Sequence, residues 1–208
     1  MAITIEHSEG IVTVEDLPDG RKLLSVTPSH ADQFIFCKNW TTSYPLDLIK
    51  HIIEINGAAG VCFEIMRDED PEFVYKFLKN DLGAYFLPED FVGKKVLDFG
   101  CGSGASTILL AKMFPDAEFT GVELVSSALS VAHKRLEYYK FANIKFLQSP
   151  SGDDLPPDLG KYDFVIMSAV YEHLFPHERE ILLPKLWNAV KEGGYLFINQ
   201  TPNIRFPF

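Results

Sequence analysis

The stretch Val96-Leu97-Asp98-Phe99-Gly100-Cys101-Gly102-Ser103-Gly104-Ala105-Ser106-Thr107 decides the fold. A short apolar run passes into three glycines at alternate positions and then into helix-forming residues, so the segment reads as strand, tight turn and helix. Glycines at such a junction let the backbone approach a ligand at the carboxyl end of the strand, close to the amide dipoles of the helix N-terminus. An adenine-nucleotide-like ligand is expected there.

Downstream of Gly93, strands and helices alternate, the signature of a parallel sheet covered on both faces. Expected strands are 95–99, 117–122, 144–148, 164–168 and 195–199, and expected helices are 104–114 and 126–139, with Ser126 or Ser127 as the cap of the second. A third helix opens at Pro176, carries Ile181, Leu182, Leu186 and Val190, and is expected to stop at Gly193-Gly194. Upstream, β-branched runs separated by turn signals predict small strands or a hairpin in the first 30 residues. Leu46, Ile49, Ile52 and Ile53 make one helical stripe ended by Asn56-Gly57. Asp70 as cap and Pro71 at the first turn open another helix, with Phe73, Val74, Phe77, Leu78 and Leu82 as its apolar face and Gly83 as its stop. Residues 1–93 are thus expected to form a mixed α/β cap, and residues 94–208 the main α/β fold.

The glycines do not choose the ligand alone. Gly100, Gly102 and Ala105 also satisfy the dinucleotide pattern G-x-G-x-x-G/A, and Glu123 follows about 20 residues on, where a ribose-binding carboxylate belongs. Asp98 discriminates. A carboxylate two residues before the first glycine repels a pyrophosphate by several kcal/mol in a low-dielectric crevice. S-adenosylmethionine, which carries an ammonium and a sulfonium but no phosphate, suits that carboxylate better.

Asp98-Phe99-Gly100-Cys101-Gly102-Ser103-Gly104 resembles the first motif of the class I S-adenosylmethionine-dependent methyltransferases. Further stations follow in order. Phe119-Thr120-Gly121-Val122-Glu123 resembles the family's second strand and ribose carboxylate, and Tyr162–Ser168 its fourth strand. Lys191-Glu192-Gly193-Gly194-Tyr195-Leu196-Phe197 resembles its turn into the fifth strand, with Glu192 where the family has proline. The likeness covers about residues 94–203 and implies a Rossmann-like class I methyltransferase sheet with helices on both faces. It implies that Gly100 and Gly102 lie under the methionine part of the cofactor, with Cys101, Gly104, Leu124 and Ser168 nearby. Asp98 would hold the methionine end and Glu123 both ribose hydroxyls. An acidic residue on the adenine amine is also implied. Ser151 stands in its usual place, so Asp153 is the substitute candidate.

His173, in the loop after the fourth strand, has the intrinsic pKa of a general base, or it is a packing residue over the cofactor. His177 does not pair with it as a metal site, because Pro176 starts a helix between them. Trp40, Tyr44 and Tyr171 wall an acceptor pocket or belong to the core. Asn199, Gln200, Thr201 and Asn203 contact an acceptor or serve turn chemistry.

Composition limits the partners. The 208 residues are 47% hydrophobic and include 17 Phe, enough for a substantial core. With 19 basic and 29 acidic residues the formal charge is −10, which disfavours nucleic acid and anionic membrane. A small-molecule acceptor is expected. Cys37, Cys62 and Cys101 form no C-x-x-C pair, which points to a reduced, cytoplasmic protein, as does the absence of a leader-like N-terminus or an apolar run of spanning length. An NAD-dependent oxidoreductase and a non-catalytic S-adenosylmethionine-binding protein remain the alternatives. The family continues to a sixth and seventh strand, and no sixth is found. Either the chain is cut from a longer one, or the N-terminal strands and a second copy in a homo-oligomer cover the open sheet edge.

Overall fold

Alternation of apolar and polar residues builds the first sheet. β1 (Ala2–His7), β2 (Gly10–Asp16), β3 (Lys22–Pro28) and β4 (Asn39–Thr42) pair antiparallel in chain order, with Val12 opposite Val26 and Val14 opposite Leu24. Those four side chains are buried on one face, while Ile11 and Glu15 point outward. The computed structural model describes residues 2–30, 39–70, 72–73 and 76–199. Cys37, Pro71, Val74, Gln200, Thr201 and Asn203 lie outside the described residues.

The buried face of this sheet rests on α1 (Leu46–Glu69), through Leu48, Ile49, Ile52, Ile53, Val61 and Ile65. The helix expected to end at Asn56-Gly57 kinks there instead and continues to Glu69. Gly57 takes φ 79° and ψ 177°, after which the apolar stripe resumes at Ala58. Burial of the second half outweighs the local stop signal, and the Glu9 carboxylate fills the space beside Gly57, where a Cβ would stand 2.0 Å from Oε2. Asp70 accepts the Glu72 amide at 2.9 Å, and α2 spans Lys76–Gly83 with Leu78 and Leu82 buried.

The second sheet is parallel, ordered β7-β6-β5-β8-β9. Its strands are β5 (Lys95–Phe99), β6 (Glu118–Glu123), β7 (Ile144–Gln148), β8 (Tyr162–Ser168) and β9 (Val190–Asn199). The helices are α3 (Ala105–Met113), α4 (Ser126–Tyr139) and α5 (Pro176–Ala189). One face buries Val96, Ile108, Leu110, Phe119 and Phe146, and the other buries Leu97, Phe99, Val165, Leu182 and Leu186. The strand order reverses beside β5, so a crevice opens at the carboxyl ends of β5 and β8.

Three local expectations are corrected. α5 stops at Ala189, before Gly193-Gly194, because Val190 is drawn into the sheet opposite Tyr162. The ladder then shifts register and resumes with Tyr195 opposite Phe164, and Gly193 at φ 74° allows the irregularity. Neither Ser126 nor Ser127 caps α4. Val125 holds the cap position without a side-chain bond, and its amide is taken by the Glu123 carboxylate at 2.9 Å. Finally, the N-terminal strands, as far as the described residues go, pair with neither edge of the parallel sheet. They form a sheet of their own, which reaches the rest of the fold through α1, packed on α3 and α4.

Candidate active site

β5 delivers Asp98 and the loop that follows. The three loop glycines have φ of 76°, 55° and 79° at Gly100, Gly102 and Gly104, a conformation costly for other residues. Two of them are also held by contact. A Cβ on Gly100 would come within 2.4 Å of Val170, and one on Gly104 within 2.7 Å of Phe146 and 2.9 Å of Ala132. Gly102 differs, since nothing lies within 4 Å of the position its Cβ would take. The amides of Gly100 and Cys101 are fixed by the Val122 carbonyl of β6, so the loop is pinned on its sheet side and open on the other.

That open side faces a cavity of about 470 Å³ lined by Gly100, Cys101, Gly102, Ser106, Ser168 and Ala169, together with Arg67, Phe73 and Leu78 from α1 and its downstream segment. Ala169 takes φ 53°, a strained setting for a residue with a Cβ, directly after Ser168 on the cavity wall. Cys101 is buried, and burial pushes its thiol well above the usual range, so it is not poised as a nucleophile.

Asp98 sits beneath the loop, 2% exposed. Its Oδ2 accepts the hydroxyls of Thr107 at 2.6 Å and Ser106 at 2.8 Å. Burial raises its pKa above the ordinary aspartate value, and the two hydroxyls oppose that rise. The carboxylate thus braces the first turn of α3, and Ser106 of that turn lines the cavity.

Glu123, at the end of β6, takes three backbone amides. Oε2 accepts Gly102 at 2.8 Å, and Oε1 accepts Leu124 and Val125 at 2.9 Å each. Of the roughly four acceptor positions of a carboxylate, about one is left. One further hydroxyl can therefore be accepted with the loop as it stands, and a second only if Gly102 lets go. Leu124 is exposed beside the 149–154 turn, where the Ser151 hydroxyl donates to Asp153 Oδ1 at 2.7 Å. Asp154 is engaged elsewhere, in a 2.9 Å ion pair with Lys185 that lowers its pKa.

Other candidates are not brought to this cavity. The His173 side chain is 78% exposed and is not among the cavity-lining residues. His177 stacks on Phe175. Tyr44 is fully buried and Trp40 packs on the same N-terminal core, while Tyr171 lies against the α5 side beneath the Arg179 guanidinium. Asn199 closes the crevice edge, accepting the Ala169 amide on its carbonyl and donating Nδ2 to Asp81 at 2.8 Å. Arg67 is not marked by the sequence because the stop signal at Asn56-Gly57 hides the second half of α1, on which it stands. Only the packing of α1 on α3 and α4 places it opposite the glycine loop.

A family model described as a methyltransferase domain matches residues 96–194. The chain is similar to a ubiquinone biosynthesis O-methyltransferase of Acinetobacter baylyi, 34% identical over 141 residues, covering 65% of this chain and 58% of that one. It is also similar to a trans-aconitate 2-methyltransferase of Variovorax paradoxus, 33% identical over 121 residues, covering 58% and 42%. The chain spans about half the length of these curated relatives. Among solved structures, the PH0226 protein from Pyrococcus horikoshii shares the fold, with a TM-score of 0.52 and 19% identity over 64% of this chain and 61% of that one. The oxidoreductase and non-catalytic alternatives find no support in these relatives. Residues 96–194 are thus a methyltransferase domain, with the ordered motifs and strand order of the class I S-adenosylmethionine-dependent methyltransferases.

Proposed function

We propose that this protein transfers a methyl group from S-adenosylmethionine to a small-molecule acceptor, with oxygen the favoured acceptor atom. The observation that carries the reading is the cavity in which the open face of Gly102 meets the Arg67 side. Its lining fits the cofactor with glycine backbone that has no Cβ and a cation for a carboxylate, and the strand-end carboxylate of Glu123, outside the lining, is bonded to the Gly102 amide from behind. Arg67 pairs with the amino-acid carboxylate, Glu123 accepts a ribose hydroxyl, and Leu124 with Asp153 borders the adenine. Asp98 acts from beneath, through Ser106 and through its charge. The bound cofactor supplies a methyl carbon already activated by the sulfonium. The chain's task is then alignment and exclusion of water, with no base required for an acceptor that arrives ionised.

Oxygen is favoured because the ubiquinone biosynthesis relative is named an O-methyltransferase, as is a fatty-acid O-methyltransferase of Mycolicibacterium smegmatis that matches at 29% identity over 119 residues. Residues 1–93 act as the cap, with Arg67 and Phe73 on the cavity wall. The cysteine usage and acidic charge support a cytoplasmic setting and a partner that is neither nucleic acid nor membrane.

Calorimetric titration with S-adenosylhomocysteine, with NADH as the comparison, tests the reading. Binding of the first and not the second is expected. The reverse pattern would overturn it.

A further inference from the structure

Behind the glycine loop, on the side away from the cavity, lies a set of charges with no direct role in the proposed chemistry. Glu64 and Asp68 stand one helical turn apart on α1 and face Arg135 of α4, and all three are buried, Arg135 at 0% exposure. Arg135 donates to Glu64 Oε2 at 2.7 Å and to Asp68 Oδ2 at 3.2 Å. Asp68 further accepts Tyr44 at 2.6 Å, Tyr139 at 2.9 Å and Lys112 at 3.1 Å. Burying charges costs several kcal/mol per ion before pairing offsets it, and apolar residues of similar volume stabilise a core about as well. Stability alone therefore gives little reason for such a cluster where Ile52, Val61 and Val131 already pack.

The cluster also reaches the glycine loop, a contact that apolar side chains could not make. Ser103, between Gly102 and Gly104, donates its hydroxyl to Glu64 Oε2 at 2.5 Å, and its carbonyl accepts the Arg135 guanidinium. The same helix presents Arg67, adjacent to Asp68, on the cavity wall. Both walls of the cavity are thus referred to one set of buried hydrogen bonds. The glycine loop is held by Ser103, and Arg67 by the register of α1 against Arg135.

Resting on the methyltransferase reading above, we infer that Glu64, Asp68 and Arg135 are positioning residues that fix the distance between the glycine loop and Arg67, and so set cofactor affinity. A one-step slip of α1 would break the bonds to Ser103 and Arg135 together, so the spacing is specified and not merely filled.

The test uses the full chain and four proteins: wild type, Glu64→Gln, Arg67→Ala and the double variant. Each is titrated with S-adenosylhomocysteine, and amide hydrogen exchange of residues 100–104 is followed without ligand. Glu64→Gln is expected to weaken binding by about fivefold or more in the wild-type background and to have little further effect once Arg67 is gone, the non-additivity of coupled groups. Exchange at residues 100–104 is expected to quicken in Glu64→Gln. Should that variant fail to fold, Ser103→Ala, which leaves every charge paired, takes its place in the same cycle. Additive losses, or unchanged loop exchange, overturn the inference while leaving the cofactor reading intact. Failure of the wild type to bind S-adenosylhomocysteine removes both.

Discussion

At the scale of single residues, burial sets the behaviour of Asp98. Its pKa lies above that of an unfolded aspartate, near 3.9, because the ionised form is desolvated. The folded state therefore binds the proton more tightly than the unfolded state. Stability from this group is present below the unfolded pKa and is lost as pH rises through the folded one. Asp98→Asn is thus expected to raise the melting temperature at neutral pH, with the advantage shrinking as pH falls toward 4, the unfolded aspartate value. Its affinity for S-adenosylhomocysteine is expected to fall. A pH series of thermal melts beside calorimetry checks both directions. Arg67 belongs to the same scale. A charge-assisted bond contributes about 1.5–3 kcal/mol, so Arg67→Ala should weaken S-adenosylhomocysteine about tenfold or more with little change in melting temperature. His173, largely exposed, makes the opposite case. Once an acceptor is found, His173→Ala should keep turnover within about twofold across pH, as surface substitutions do. A lost alkaline or acid limb would restore it as the base.

The strand, loop and helix around residues 95–113 were legible because glycines at strand ends have few other uses, and β5, β7 and α4 run between the residues the sequence pattern indicates. What the pattern does not distinguish is the separate reason for each glycine. Gly104 is packed, so Gly104→Ala adds a methyl against Phe146 and Ala132 in a left-handed backbone and should cost about 2–4 kcal/mol of stability in denaturant melts. Gly102 is open, so Gly102→Ala should cost about 1–2 kcal/mol, from its backbone alone, while its methyl intrudes on the cavity and lowers cofactor affinity. Equal effects of the two on binding and stability would contradict this division. The ends of α1 and α5 were misread for a common reason. Asn56-Gly57 and Gly193-Gly194 are local stop signals, yet burial of Ala58–Ile65 carries one helix onward, and pairing of Val190 with Tyr162 ends the other early.

For the whole molecule, the two sheets are joined by α1 on α3 and α4, with Val131 of α4 inside the N-terminal core and Arg135 inside the charge cluster. A shared core of this kind should unfold as one unit. In a Trp187→Phe variant, which changes an exposed side chain, Trp40 reports the N-terminal sheet by fluorescence. Its thermal transition is expected to coincide with the far-ultraviolet circular dichroism transition. Two separated transitions would show that the N-terminal sheet is an independent unit.

The sequence by itself determined the parallel α/β core, the glycine loop and the carboxylates at Asp98 and Glu123, because these depend on spacing along one strand and the helix after it. It left Arg67, Ser103 and the Glu64–Asp68–Arg135 cluster unmarked, since the partners in that cluster are up to 91 residues apart along the chain. Only the tertiary structure decided where the N-terminal strands go, what Tyr44 touches, that His173 stands clear of the cavity and that Glu123 already holds three amides. Each of those depends on which surfaces meet when the two cores close on α1, a long-range choice that local pattern does not encode.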